Sequence, residues 1–211
     1  MRNILVFVLA TASLSCSVGA VGRAEPVPLA PPPGTQTAVF AGGCFWGVEA
    51  VFEHVKGVVY VKSGYAGGIK EANYDDVSTG TTGHAESVLV TFDPAKVSYT
   101  QLLSVFFAVA HDPTQLNRQG PDHGTQYRSA IFYSDADQKK LAEGYIDAVN
   151  KSKALTSPVV TEVSALNKFY DAEAYHQDYL KKHPDEPYIV INDMPKLEAL
   201  KAKFPELYVD K

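Results

Sequence analysis

The stretch Gly42-Gly43-Cys44-Phe45-Trp46-Gly47 constrains the chain most, because the hydrophobic pattern changes period across it. Before it, residues 37–41 form a short apolar run of strand length. After it, Val48, Val51, Phe52 and Val55 recur at helical spacing as far as Gly57, a residue suited to ending a helix. A strand that turns through two glycines into a helix sets Cys44 at the helix start, among backbone N–H groups that carry partial positive charge. That field favours thiolate, the reactive form of cysteine. The competing reading is a buried structural cysteine, since free cysteine is among the most buried residue types. The stretch alone does not separate the two.

The rest of the chain continues in short segments. Residues 58–63 alternate β-branched and aromatic residues with polar ones and predict a strand. Gly64, Gly67 and Gly68 open a loop that runs to about Gly83. Further strands are expected at 86–92, 129–133 and 159–163. Ser98 is a good N-cap for a helix with Leu102, Phe106 and Val109 on one face, and helices are expected at 135–153 and 169–182. Residues 111–127 are rich in Pro, Gly, Asp, Asn and Gln without periodicity, too long for a plain connector, and form a candidate functional loop. The tail after Pro187 reads as irregular with one short helix at most. Helices are too few and strands too short for a large doubly wound sheet. The expectation is an α+β fold in one compact domain over residues 37–211, with a mixed sheet covered by two or three helices. With 211 residues, 45% of them hydrophobic, its core needs no disulfide or metal staple.

The N-terminus reads differently. Arg2, an apolar run over 4–10 and the small residues Val18-Gly19-Ala20 describe an export leader over residues 1–20, and the run is too short to span a bilayer. Residues 21–36, with Pro26, Pro28, Pro31, Pro32 and Pro33, form a proline-rich linker. Cleavage after Ala20 or Ala24 is preferred over a lipid anchor at Cys16, because Ser13 stands where a lipoprotein leader has an apolar residue. Either route removes or caps Cys16 and leaves Cys44 alone in an exported protein, periplasmic or secreted, which flags a reactive thiol. A net charge of -5 gives no basic stripe for nucleic acid. Six histidines without a His-x-x-x-His pair make a structural zinc site improbable.

Polar clusters lie away from the cysteine. Residues 74–86 run from Tyr74 through a Ser/Thr/Gly loop to His84-Ala85-Glu86 at a strand start, where strand alternation points His84 and Glu86 the same way. Asp122-His123-Gly124-Thr125-Gln126-Tyr127-Arg128 is turn chemistry ending at a strand mouth. Tyr175-His176-Gln177, with Glu173 before it, reads as buried polar contacts that fix a helix to the sheet. Alone, the first two clusters fit solvated or hydrogen-bonded turns, and the third fits a structural helix contact. Their order fits neither. Gly42 to Gly47, Thr82-Gly83-His84-Ala85-Glu86, Asp122 to Arg128 and Ala172-Glu173-Ala174-Tyr175-His176-Gln177 together resemble the peptide methionine sulfoxide reductase A family over residues 37–203.

The resemblance implies a two-layer sandwich around a mixed β-sheet and no bound cofactor. It makes Cys44 the nucleophile, Glu86 the acid, and Tyr74, Asp122 and Tyr127 the polar wall. Phe45 and Trp46 become the pocket for the substrate methyl group, with Gly43 and His84 assigned to substrate binding. A sulfoxide sulfur is a poor electrophile until its oxygen is protonated, so the site needs a thiolate on one side and proton donors on the other. A glutamate beside tyrosines and a tryptophan is desolvated and keeps its proton. Many family members resolve the resulting sulfenic acid with further cysteines near the C-terminus, and residues 195–207 contain none. The expectation is a one-cysteine monomer that acts on oxidised proteins or peptides and is recycled by an external thiol, thioredoxin-like, glutaredoxin-like or a dithiol. Two rivals remain: a cysteine hydrolase with a Cys44–His84–Asp122 triad, and a non-catalytic thiol sensor.

Overall fold

The computed structural model describes Met1 and residues 31–211, and Pro31–Lys211 forms one compact unit. The expected leader, Cys16 and the first part of the proline-rich linker lie outside the described residues. In chain order the first elements are β1 (Gln36–Gly42), α1 (Phe45–Glu53), β2 (Val58–Ala66), α2 (Tyr74–Ser78), β3 (Ala85–Phe92) and α3 (Tyr99–Val105). A hairpin follows, β4 (Arg118–Gln119) and β5 (Asp122–His123), then β6 (Ser129–Tyr133) and α4 (Ala136–Ser152). The chain closes with β7 (Glu162–Ala165), β8 (Phe169–Asp171), α5 (Tyr179–Lys182) and α6 (Met194–Lys203).

Among the described residues six strands pair in the order β7-β6-β1-β3-β2-β8. All pairs are antiparallel except β6 with β7, so the sheet is mixed. Strand alternation divides its faces. Ala38 and Phe40 of β1, with Val88 and Val90 of β3, enter a large core that also holds residues of α1, α3, α4, α5 and α6. Val39 and Ala41 point the other way into a small cluster with Ala66, Ala85, Ala130 and Phe132. Among the described residues the helices pack on one face, which makes two layers and bears out the expected α+β sandwich. Phe40, Phe52 and Phe106 are fully buried, with Phe40 centroids 5.0 Å from Phe52 and 4.9 Å from Phe106. Each such ring contributes about 2 kcal/mol by burial.

The local signals held where they were strong. Ser98 caps α3 in a reciprocal capping box with Gln101: its hydroxyl accepts from the Gln101 N–H at 3.2 Å, and its own N–H donates to Gln101 Oε1 at 2.9 Å. The region expected to be a helix over 169–182 is the main correction. Phe169–Asp171 is instead a strand on the edge of β2, and only Tyr179–Lys182 is helical. Gly64 explains the difference, because a Cβ there would collide with the Tyr170 carbonyl and the Phe169 ring. β2 therefore runs to Ala66, past the expected end at Ser63. The fifth expected strand is shifted to Glu162–Ala165, and the short helix that the sequence allowed in the tail is α6, ten residues long.

Candidate active site

Strand parity brings Glu86 to the cysteine. It shares the face of Val88 and Val90, which looks onto α1, and its Oε2 accepts the Phe45 backbone N–H at 3.0 Å. Cys44 occupies the N-cap position of α1 and is 8% exposed. It lines a cavity of about 280 Å³ together with Phe45, Trp46, Tyr74, Glu86, Asp122, Tyr127, Glu186 and Tyr188. Each polar group arrives from a different element. Tyr74 opens α2, Asp122 lies on the β4–β5 hairpin, and Tyr127 ends a single 3₁₀ turn, Thr125–Tyr127. The long loop over 111–127 is thus the carrier of two wall residues. Arg128 anchors it, donating to the carbonyls of Gly83 (3.0 Å) and Thr125 (2.9 Å) and to Glu162 (3.1 Å).

The aromatic side is held from behind. The Trp46 indole N–H donates to His176 Nδ1 at 3.1 Å, and its ring stacks on Tyr179 at 3.7 Å and 8°. Tyr188 meets it edge-on at 5.9 Å and 88°. Glu173 accepts from the Tyr65 hydroxyl and the Tyr74 N–H, both at 2.9 Å, so the cluster read as polar fixing contacts does fix the site, from a turn between β8 and α5 instead of a helix.

Electrostatics sort the groups. Burial pushes the Glu86 carboxyl up to about 8, against the Phe45 N–H that pulls it down, with the Asp122 charge adding to the rise. Glu86 is therefore an acid at neutral pH. Burial also raises the phenols of Tyr74 and Tyr127, as does the charge of Glu86, so both remain donors. Cys44 departs from the sequence argument. Burial, then the carboxylates of Glu86 and Asp193, push its thiol well up, outweighing the Trp46 backbone N–H and Lys196 that pull it down. The helix end is present, but desolvation of a nearly closed site is the larger effect, and the resting group is a thiol. Below about pH 8 Glu86 is neutral and its repulsion disappears, while the desolvation stays.

Two sequence-picked residues do not line the cavity. His84 is 1% exposed, with Nδ1 accepting the Gly68 N–H at 3.1 Å and Nε2 bonded to the Lys70 carbonyl at 2.8 Å. Both ring nitrogens are spent on the glycine loop, so it supplies no base to Cys44 and the triad has no geometry. His84 precedes β3, and the alternation that aims Glu86 does not extend to it. Gly43 has φ +89, and a Cβ there would lie 2.5 Å from the Gln119 side chain; it is a turn residue pressed by the hairpin. Conversely, the sequence missed Tyr188, whose hydroxyl donates to Asp122 Oδ2 at 2.5 Å, and Glu186, which accepts from Tyr179 at 2.7 Å. Neither stands in a periodic segment, so no local pattern marks them.

A thiol, a protonated carboxyl and phenols facing an aromatic pair define a cysteine enzyme for a substrate whose oxygen must be protonated beside an apolar substituent. The comparisons agree with that class. Residues 36–207 match the family model described as peptide methionine sulfoxide reductase. The chain is 58% identical over 180 residues to peptide methionine sulfoxide reductase MsrA 2 of Mesorhizobium japonicum, covering 85% of this chain and 92% of that protein. The protein of the same name in Synechocystis sp. is 53% identical over 179 residues, covering 84% and 82%. Reduced Mxr1 of Saccharomyces cerevisiae superposes with a TM-score of 0.68 at 34% identity, over 74% of this chain and 89% of that one. Methionine sulfoxide reductase A of Corynebacterium diphtheriae gives a TM-score of 0.64 at 39% identity, over 72% and 76%. The chain belongs to the peptide methionine sulfoxide reductase family.

Proposed function

We propose that this protein reduces methionine S-sulfoxide, in peptides and free, through a sulfenic acid on Cys44, and that an external thiol restores the cysteine. The observation that carries the reading is Glu86, held protonated to about 8 beside Cys44 while its Oε2 accepts the Phe45 N–H at 3.0 Å. The substrate methyl lies against Phe45 and Trp46, its oxygen toward Glu86, Tyr74 and Tyr127, and its sulfur over Cys44. Three directions at a chiral sulfur are thereby fixed, and the opposite epimer would force the methyl onto the polar wall.

The step balances without a cofactor. Glu86 gives its proton to the sulfoxide oxygen as Cys44 sulfur bonds to the substrate sulfur, and the thiol proton replaces the one given. The oxygen passes to Cys44 as the substrate S–O bond and the transient S–S bond break, and methionine leaves with two more electrons on sulfur. One external thiol then forms a mixed disulfide with Cys44 and releases water. A second thiol frees Cys44 and leaves as disulfide. Tyr74 and Tyr127 donate to the oxygen while it gains charge.

The leader-like segment over 1–20 supports export to the periplasm or medium, where the work would be repair of oxidised exported proteins under oxidative stress. N-terminal sequencing of the mature protein tests that part. The chemistry is tested by an epimer-resolved assay with dithiothreitol on wild type and Cys44→Ser. Turnover of the S epimer alone, lost in Cys44→Ser, is expected; turnover that survives the substitution sinks the reading. After stoichiometric sulfoxide, mass spectrometry should show Cys44 sulfenate or a mixed disulfide, and an internal Cys16–Cys44 disulfide would overturn the one-cysteine cycle.

A further inference from the structure

Asp193 and Lys196 lie against the first turns of α1, and no step above uses them. Asp193 ends a π-turn, Ile189–Asp193, and stands at the N-cap of α6. It is 0% exposed; Oδ1 accepts from Lys196 Nζ at 3.0 Å, and Oδ2 has no partner among the described residues. The pair rests on Gly47. A Cβ there would overlap the Asp193 carboxylate and lie 2.8 Å from Lys196 Nζ. Gly47 follows Cys44 within one helical turn, so its missing side chain admits an anion and a cation to the backbone that carries the thiol. A fully buried carboxylate with one oxygen unpaired is costly for stability alone.

We propose that Asp193 and Lys196 are positioning residues that set the charge balance at Cys44, with Lys196 the counter-charge to the thiolate that attacks the sulfoxide and later leaves the mixed disulfide, and Asp193 the group that holds Lys196 there. The role rests on the reading of Cys44 as the nucleophile. Cys44 needs such a partner because burial disfavours its anion. Apart from the Trp46 backbone N–H, which also lowers the thiol, the other groups around it supply none. Glu86 from β3 and Asp122 from the hairpin can only add negative charge. Tyr74, Tyr127 and Tyr188 are phenols that burial keeps neutral, and Tyr179 donates its hydroxyl to Glu186. His111, which feels Lys196, is pushed down to about 4 by burial and is uncharged. Among these groups the cation is Lys196. It lowers the thiol while Asp193 raises it, as the opposite charges of one buried ion pair beside Gly47 must.

The test is the rate of Cys44 alkylation by iodoacetamide in the full chain, followed on the Cys44 peptide by mass spectrometry at fixed pH. A Glu86→Gln background keeps that carboxyl from titrating in the same range. Lys196→Met is expected to slow alkylation about tenfold, and Asp193→Asn to speed it about tenfold, the effect of one unit charge within about 10 Å at an effective dielectric of about 20. Asp193→Asn combined with Lys196→Met should return near the starting rate, and Lys196→Arg should hold it. If Lys196→Met leaves an unpaired carboxylate and does not fold, Asp193→Asn and the double variant carry the test. Shifts of the same sign, or none in any folded variant, overturn the proposal. Alkylation needs no sulfoxide, so absence of turnover would strike the reductase reading and leave this measurement standing.

Discussion

Glu49 and Glu86 are both buried carboxyls that desolvation pushes up to about 8, and each accepts a backbone N–H at 3.0 Å, from Asp178 and Phe45 respectively. Their surroundings differ. Glu86 opens on a cavity with a thiol and phenols, whereas Glu49 lines a separate depression of about 160 Å³ beside Glu53 and Asp178, whose negative charges add to its rise. Equal perturbation with unequal company teaches that a raised carboxyl marks burial first. It becomes an acid in catalysis only where a reacting atom can reach it.

The largest expected break between the two is kinetic. Glu86→Gln still accepts the Phe45 N–H but has no acidic proton, so single-turnover sulfenate formation should fall about 10²- to 10³-fold. Glu49→Gln should stay within about twofold of wild type in the same quench experiment. Comparable losses in both would erase the distinction. The pH profile sharpens it next. Wild-type single-turnover rate should fall as pH rises through about 8, because Glu86 loses its proton there, and Glu49→Gln should keep that fall at the same pH. Glu86→Gln should lack it.

A smaller effect tests the company Glu86 keeps. Tyr188→Phe removes the hydroxyl bonded to Asp122 and should slow turnover about tenfold or less while leaving the pH midpoint in place. The smallest effect is the one the two glutamates share. Each folded-state carboxyl keeps a proton that the unfolded chain has lost above about 4.5, so unfolding releases a proton and rising pH favours unfolding between about 4.5 and 8. Thermal melts of wild type should show Tm declining across that window, and Glu49→Gln and Glu86→Gln should each flatten it. Each kcal/mol relieved corresponds to about 2–4 °C.

The parts of the site that the sequence exposed are those tied to a local pattern. Cys44, Phe45 and Trp46 stand where a strand gives way to a helix, and Glu86 lies on a strand whose alternation fixes its face. Asp122 and Tyr127 stood in a loop that was conspicuous for being long and polar. His84 misled because alternation was extended one residue beyond the strand that enforces it. Tyr188, Asp193 and Lys196 had no such marker: a π-turn and a ten-residue helix in the tail put them at Cys44, more than a hundred residues away in the chain. β8 was missed for the same reason, since a three-residue strand is defined by the edge it joins and β2 lies far upstream.

By itself the sequence determined the strand–turn–helix that presents Cys44, the α+β class, and the family, because periodicity, capping and ordered motifs are local properties of the chain. The sequence anticipated the proton on Glu86; only the tertiary structure decided that the resting Cys44 is a thiol. Glu86 is an acid and Cys44 a resting thiol because elements from across the chain exclude water from both, and desolvation depends on what surrounds a group, not on its neighbours in sequence.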